Sequence, residues 1–217
     1  MIDISRRSFI KGLIASAISL GIDPYAGIVV ANDLYQNQRL GVSFHKPNGW
    51  EFDSVADFAA LRERQILINE DQEVHPLKDP ESLPTVIIAD IKHQQGDFAP
   101  AIMLWDEILN HPNPSNLSSE IHQHRRMIRN FSHSYKDVQV ISEPEQLIVK
   151  GAKGTQATWR YRHEVEDGQA YALKIRSLLF FRYPRVHTYY LIDLYDVNYV
   201  APKIFNDFAQ TIKYDQA

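Results

Sequence analysis

At 217 residues the chain is long enough for one domain with a substantial core, and its hydrophobic share of 44% is that of a globular protein. A formal net charge of −4 withdraws electrostatic support for nucleic-acid binding. With no cysteine, disulfides, thiolate metal sites and thiol nucleophiles are excluded.

The first element in chain order is Ser5-Arg6-Arg7-Ser8-Phe9-Ile10-Lys11, which resembles the bacterial twin-arginine export signal S-R-R-x-F-L-K. Arg6, Arg7, Phe9 and Lys11 occupy its defining positions, and Ile10 replaces Leu with another apolar side chain. The uncharged run from Gly12 to Ile22 is too short to span a bilayer, which takes ~20 apolar residues, and reads as the apolar region of a cleavable leader. Val29-Val30-Ala31 suits a signal peptidase, so cleavage is expected after Ala31. The expected organisation is a leader over 1–31 and a single domain over 32–217. The resemblance implies a twin-arginine translocon as partner during export and a periplasmic or secreted destination. No later run is long and apolar enough for a membrane span, and no cysteine is present for a lipid anchor.

Leu40–His45 alternates as a strand, Lys46-Pro47-Asn48-Gly49 has turn chemistry, and Trp50-Glu51-Phe52 resumes the strand. A short helix is expected over Val55–Gln65, then an acidic, proline-punctuated loop from Asn69 to Pro84. Strands are expected over Thr85–Lys92 and Ala101–Glu107. Ser115 or Asn116 caps the longest helix, whose stripe is Leu117, Ile121, Ile128, Phe131 and Tyr135. Short strands follow at Val138–Ile141 and Gln146–Lys150, then long ones at Gln156–Val165, Gln169–Arg182 and His187–Tyr195. A final helix is expected over Ala201–Lys213, with Ile204, Phe205, Phe208 and Ile212 facing inward.

The turn at Glu166-Asp167-Gly168 fixes a register. A two-residue loop would pair Glu166 with Gln169 and set Tyr161 beside Lys174. A three-residue loop pairs Val165 with Gln169. The second choice gathers Trp159, Tyr161, Tyr171, Leu173 and Ile175 on one face and Arg160, Arg162, Lys174 and Arg176 on the other. Because a one-residue slip exchanges the faces, this sorting selects the three-residue loop. Leu178 and Phe180 continue the basic side with apolar residues, so helices are expected on both faces of the sheet. The fold class is therefore α+β, an α/β/α sandwich built on a central antiparallel sheet.

The stretch LGVSFHKPNGW is similar to the opening of PsbP-like proteins, where it forms the first hairpin. The stretch from Lys153 to Asp196 resembles the closing meander of that family, and IFNDFAQTIK its terminal helix. The acidic segment 69–84 is longer than the family pattern. The resemblance implies an extracytoplasmic, non-enzymatic fold that binds partners or ions, used in plants and cyanobacteria as a photosystem II accessory subunit.

Among the nine histidines, His122 and His124 fall two apart on the long helix and read as solvated helix-face residues. Glu120 and His124, four apart, could share an ion, but no third ligand stands at a recognisable spacing. There is no G-x-S-x-G nucleophile elbow, and Asp193 and Asp196 are three apart on a strand, on opposite sides. Gly151-Ala152-Lys153-Gly154 lacks the Lys-Ser/Thr of a phosphate loop and reads as a turn. No residue pattern calls for a cofactor. The basic strip Arg160, Arg162, Lys174 and Arg176 is the candidate docking patch for an envelope protein or an anionic ligand. Replacing Arg160 and Arg176 is expected to leave the fold intact, since the aromatic face is untouched. The functional expectation is an exported binding or assembly-accessory protein; the alternative is an extracytoplasmic hydrolase with catalytic residues dispersed along the chain.

Overall fold

The structure, a computed structural model, describes residues 28–53, 84–90, 92, 99–109, 114, 116–164, 170–195 and 201–215. The twin-arginine stretch, the expected helix over 55–65, most of the acidic loop and the loop 165–169 lie outside the described residues. Among the described residues there are eleven strands and two helices: β1 (Ile28–Ala31), β2 (Leu34–Asn37), β3 (Val42–His45), β4 (Glu51–Asp53), β5 (Val86–Ala89), β6 (Ala101–Ile108), α1 (Leu117–Ser134), β7 (Lys136–Val149), β8 (Ala152–Glu164), β9 (Ala170–Arg182), β10 (Arg185–Leu194), α2 (Ala201–Ala209) and β11 (Lys213–Tyr214). The class is α+β, as expected.

The strands form two antiparallel sheets, a seven-stranded one in the order β4-β5-β6-β10-β9-β8-β7 and a four-stranded one in the order β1-β2-β3-β11. One face of the large sheet packs on α1, through Ile128 against Trp159, Tyr161, Leu173, Ile175 and Ile192. Phe131 lies 4.7 Å from the Trp159 ring, and Tyr135 lies 4.8 Å from the Tyr161 ring. The other face is covered by the small sheet together with α2. Phe44 sits at the centre of this second core, between Tyr35 at 4.8 Å, Phe208 at 5.4 Å and Tyr189 at 6.0 Å. The layer on that side is thus part helix and part sheet.

The predicted register between β8 and β9 is the observed one: Glu164 pairs with Ala170, His163 with Tyr171 and Tyr161 with Leu173. Asn116 caps α1, accepting from the Ser119 N–H at 3.0 Å while the Ser119 hydroxyl accepts from the Asn116 N–H.

Four expectations are corrected. Trp50–Phe52 does not continue or pair with the preceding strand, because the turn at Pro47–Gly49 carries the chain from the small sheet to the large one; β3 pairs with β2 and β11, and β4 with β5. The two short strands after α1 are one strand, β7, which runs through Pro144. It is the edge strand of its sheet and is bulged between Ser142 and Glu145, the setting in which a strand tolerates proline. The final helix ends at Ala209, and Lys213–Tyr214 forms β11 on the edge of β3. The turn read at 151–154 is Lys150-Gly151 (φ 45° and 87°), while Gly154 lies inside β8. Among the described residues no helix is long and apolar enough to cross a membrane.

Candidate functional site: a basic sheet face beside α2

Residues paired across neighbouring strands project from the same face, so the register fixes which side chains form a row. One row is Lys136, Arg162 and Ala172; the next is Gln139, Arg160, Lys174 and Asp193; the third is Ser142, Thr158 and Arg176; the fourth is Glu145, Gln156 and Leu178. The structure therefore does bring Arg160, Arg162, Lys174 and Arg176 onto one face. It adds Lys136, which the sequence reading did not place there. β8 contributes every second residue. β7 contributes every third, because its register shifts between Lys136 and Gln139, between Val140 and Ser142, and between Ser142 and Glu145.

The four cations are not equivalent. Arg160 donates from Nε and Nη2 to Gln139 Oε1, at 3.0 and 2.6 Å, and its guanidinium lies 4.5 Å from the Tyr195 ring centroid. Arg176 donates from Nη2 to Gln156 Oε1 at 2.6 Å and from Nη1 to Asn206 Oδ1 on α2. Arg176 is thus a brace between helix and sheet, which overturns the expectation that it can be removed without structural consequence. Burial lowers its pKa from the usual guanidinium value, and Glu145 works in the opposite sense. Lys174 has no hydrogen bond or ion pair to another described residue.

Beside these residues, α2 stands off the sheet and leaves an open groove of about 290 Å³. Its sheet side is lined by Ser142, Glu145, Gln156, Thr158, Lys174 and Arg176, and its helix side by Pro202, Phe205 and Asn206. Asp193, the cross-strand neighbour of Lys174, is 1% exposed. Its Oδ1 accepts the Leu194 N–H at 2.8 Å, while Oδ2 is buried without a hydrogen-bond partner. Burial raises this carboxyl to about 6, against the opposing pull of the Leu194 N–H and of Lys174.

The histidine readings need one correction. His122 is exposed, but His124 is 0% exposed and lies under α1 against the sheet. Its Nδ1 is 2.9 Å from Thr155 Oγ1 and its Nε2 is 2.7 Å from Ser177 Oγ. Both ring nitrogens are occupied, so His124 has no free lone pair with which to join Glu120 on an ion, and no group of three metal-ligating side chains occurs among the described residues. The spacing carried the signal that was missed, because His124 sits between Ile121 and Ile128 on the apolar stripe.

A second polar cluster lies at the far end of β10. Asp106 pairs with Arg185 and stands 3.5 Å from His187 Nε2, and His187 Nδ1 is 3.2 Å from the Tyr214 hydroxyl. Burial pushes the Tyr214 phenol well above its ordinary value. His187 is 1% exposed.

Arg6, Arg7, Phe9 and Lys11 lie outside the described residues. Ala31 is the last residue of β1, immediately before the tight turn at Asn32-Asp33.

No family model matches the chain, and no curated protein matches it. Among solved structures, it is similar to cyanobacterial PsbP (CyanoP) from Synechocystis sp. PCC 6803, at 15% identity, covering 86% of this chain and 95% of that one with a TM-score of 0.50. The likeness shows a PsbP-like fold.

Proposed function

We propose that this chain is an exported, non-catalytic accessory protein of the bacterial envelope that docks an acidic partner on the basic face of β7, β8 and β9. The observation that carries the reading is Lys174, which shares its row with the anchored Arg160 and makes no hydrogen bond or ion pair to another described residue. Strands lie ~4.8 Å apart and the screening length in physiological salt is ~8 Å, so neighbouring cations act on a partner together. The twin-arginine stretch supports the destination, and the PsbP-like fold fits a protein that works by binding.

A hydrolase would need a histidine held between a carboxylate and a hydroxyl. Asp106, His187 and Tyr214 have that order, but the imidazole is sealed and the hydroxyl is a phenol driven away from ionisation. A nucleophile needs the opposite shift and an approach path.

The test is capture from native envelope extract by the exported form. The double substitution Arg162→Ser and Lys174→Ser is expected to leave the chain folded, weaken capture and flatten its salt dependence. Unchanged capture by the folded double variant removes the docking reading.

A further inference from the structure

We propose that the groove between α2 and the β7–β9 face is a carboxylate pocket. It receives one acidic side chain of the docking partner, with that residue's apolar neighbour against Phe205 and Pro202. The inference rests on the docking reading and adds to it a specific contact and a sequence preference.

The charge balance selects the head group. Around the groove and along the adjoining row, Arg160, Lys174 and Arg176 stand against Glu145 and Asp193, leaving one positive charge uncompensated. One net charge suits a monoanionic carboxylate. A phosphate dianion would set a second negative charge against Glu145 with no cation left to meet it. The donors are unequal in a useful way. Arg176 spends two N–H groups on Gln156 and Asn206, so its plane is fixed before any ligand arrives. Lys174 has all three N–H donors unclaimed by described residues. The hydroxyls of Ser142 and Thr158 line the same groove and can donate to a second carboxylate oxygen.

Size and wall chemistry select the rest. About 290 Å³ is at the small end of the ~300–1,000 Å³ typical of ligand sites, so the groove takes a side chain or two rather than a large cofactor. Phe205 is itself anchored in the core, 6.1 Å from the Trp50 ring, and gives the pocket a rigid apolar wall. A polar floor with two cations and an apolar wall on one side reads an acidic residue next to an apolar one.

The test uses acetyl-Glu-Phe-amide as probe and acetyl-Gln-Phe-amide as its isosteric control, titrated into the full chain and followed by amide NMR. The expected result is saturable shifts at Gln156, Thr158 and the Asn206 side chain with the Glu probe, at least tenfold weaker binding of the Gln probe, and at least tenfold weaker Glu-probe binding by Lys174→Met. Ser142→Trp, on the exposed edge strand, fills the groove and should block the probe if Lys174→Met does not fold. Equal binding of the two probes, shifts gathered elsewhere, or undiminished binding by the folded variants overturns the pocket. Envelope capture separates the two proposals. If the probe fails while capture still depends on Arg162 and Lys136, the pocket falls and the docking face stands.

Discussion

His124 Nε2 on α1 lies 2.7 Å from the Ser177 hydroxyl on β9, and neither side chain reaches solvent. Trp159 Nε1–H also points at Ser177 Oγ, at 3.4 Å. A proton arrangement that satisfies all groups has Ser177 accepting from Trp159 and donating to His124 Nε2, with His124 Nδ1–H donating to Thr155. This arrangement uses the neutral ring, and burial lowers the imidazole from 6.5 to about 3. Between those values the unfolded chain takes up a proton that the native state refuses. The contribution of the neutral His124 ring is therefore full above about 6.5 and is lost as pH falls, by about 1.4 kcal/mol per pH unit. His124→Gln should remove this contribution, which urea midpoints of variant and wild type compared at pH 4, 5, 6 and 7 would show.

Asp193 tilts stability the other way. Its folded value of about 6 lies above the ordinary 3.8, so in that window the native state holds a proton that the unfolded chain has lost. Its contribution is present at low pH and disappears as pH rises from about 4 through 6. In the wild type the two slopes largely offset each other between about pH 4 and 6. Asp193→Asn should expose the His124 slope and make the protein more acid-sensitive than wild type across that window. His124→Gln should do the reverse. Two single variants with slopes of the same sign would refute the pairing.

Two glycines should respond to alanine for different reasons. A Cβ on Gly154 would lie 2.3 Å from the Leu179 carbonyl oxygen and 2.9 Å from Phe180 Cδ1, so β8 and β9 would have to separate. We expect Gly154→Ala to destabilise by about 1–3 kcal/mol, as overpacking does. Gly151 has open space around it but a φ of +87°, so Gly151→Ala meets only backbone strain of about 1–2 kcal/mol. Thermal melts of the two variants should show the larger loss for Gly154.

Arg176 and Arg162 separate structure from binding. Arg176→Ser removes the bond to Asn206 that braces α2 to the sheet and the bond to Gln156 on β8, and leaves both acceptors without their donor, so a loss of about 1–3 kcal/mol is expected in chemical denaturation. Arg162→Ser, at an exposed position where surface contacts are worth about 0–1 kcal/mol, should cost less than Arg176→Ser.

Replacing Arg6 and Arg7 together with lysine should stop export. Cell fractionation and the size of the chain give the readout, and normal delivery and trimming of the double-lysine form would exclude a twin-arginine route.

The sequence alone determined the strongest parts of this fold because they are written in local periods. Alternation in β8 and β9, with a turn of fixed length, set one register and sorted aromatic from basic residues. The helical stripe placed α1, and Asn116 capped it. The same stripe also carries His124, whose burial is legible in its spacing although its side chain is polar and only Thr155 and Ser177, far away in sequence, satisfy it. What only the tertiary structure decided is non-local. Three register shifts in β7 turn a period of two into three and put Lys136, Gln139, Ser142 and Glu145 on the basic face, and only pairing with β8 defines those shifts. The division of β3 and β4 between two sheets, the pairing of β11 and the bracing of Arg176 by Asn206 each depend on residues far away in sequence. Local chemistry chooses a residue's secondary structure, but the free energy of its edge and of its face belongs to whichever distant element arrives to cover it.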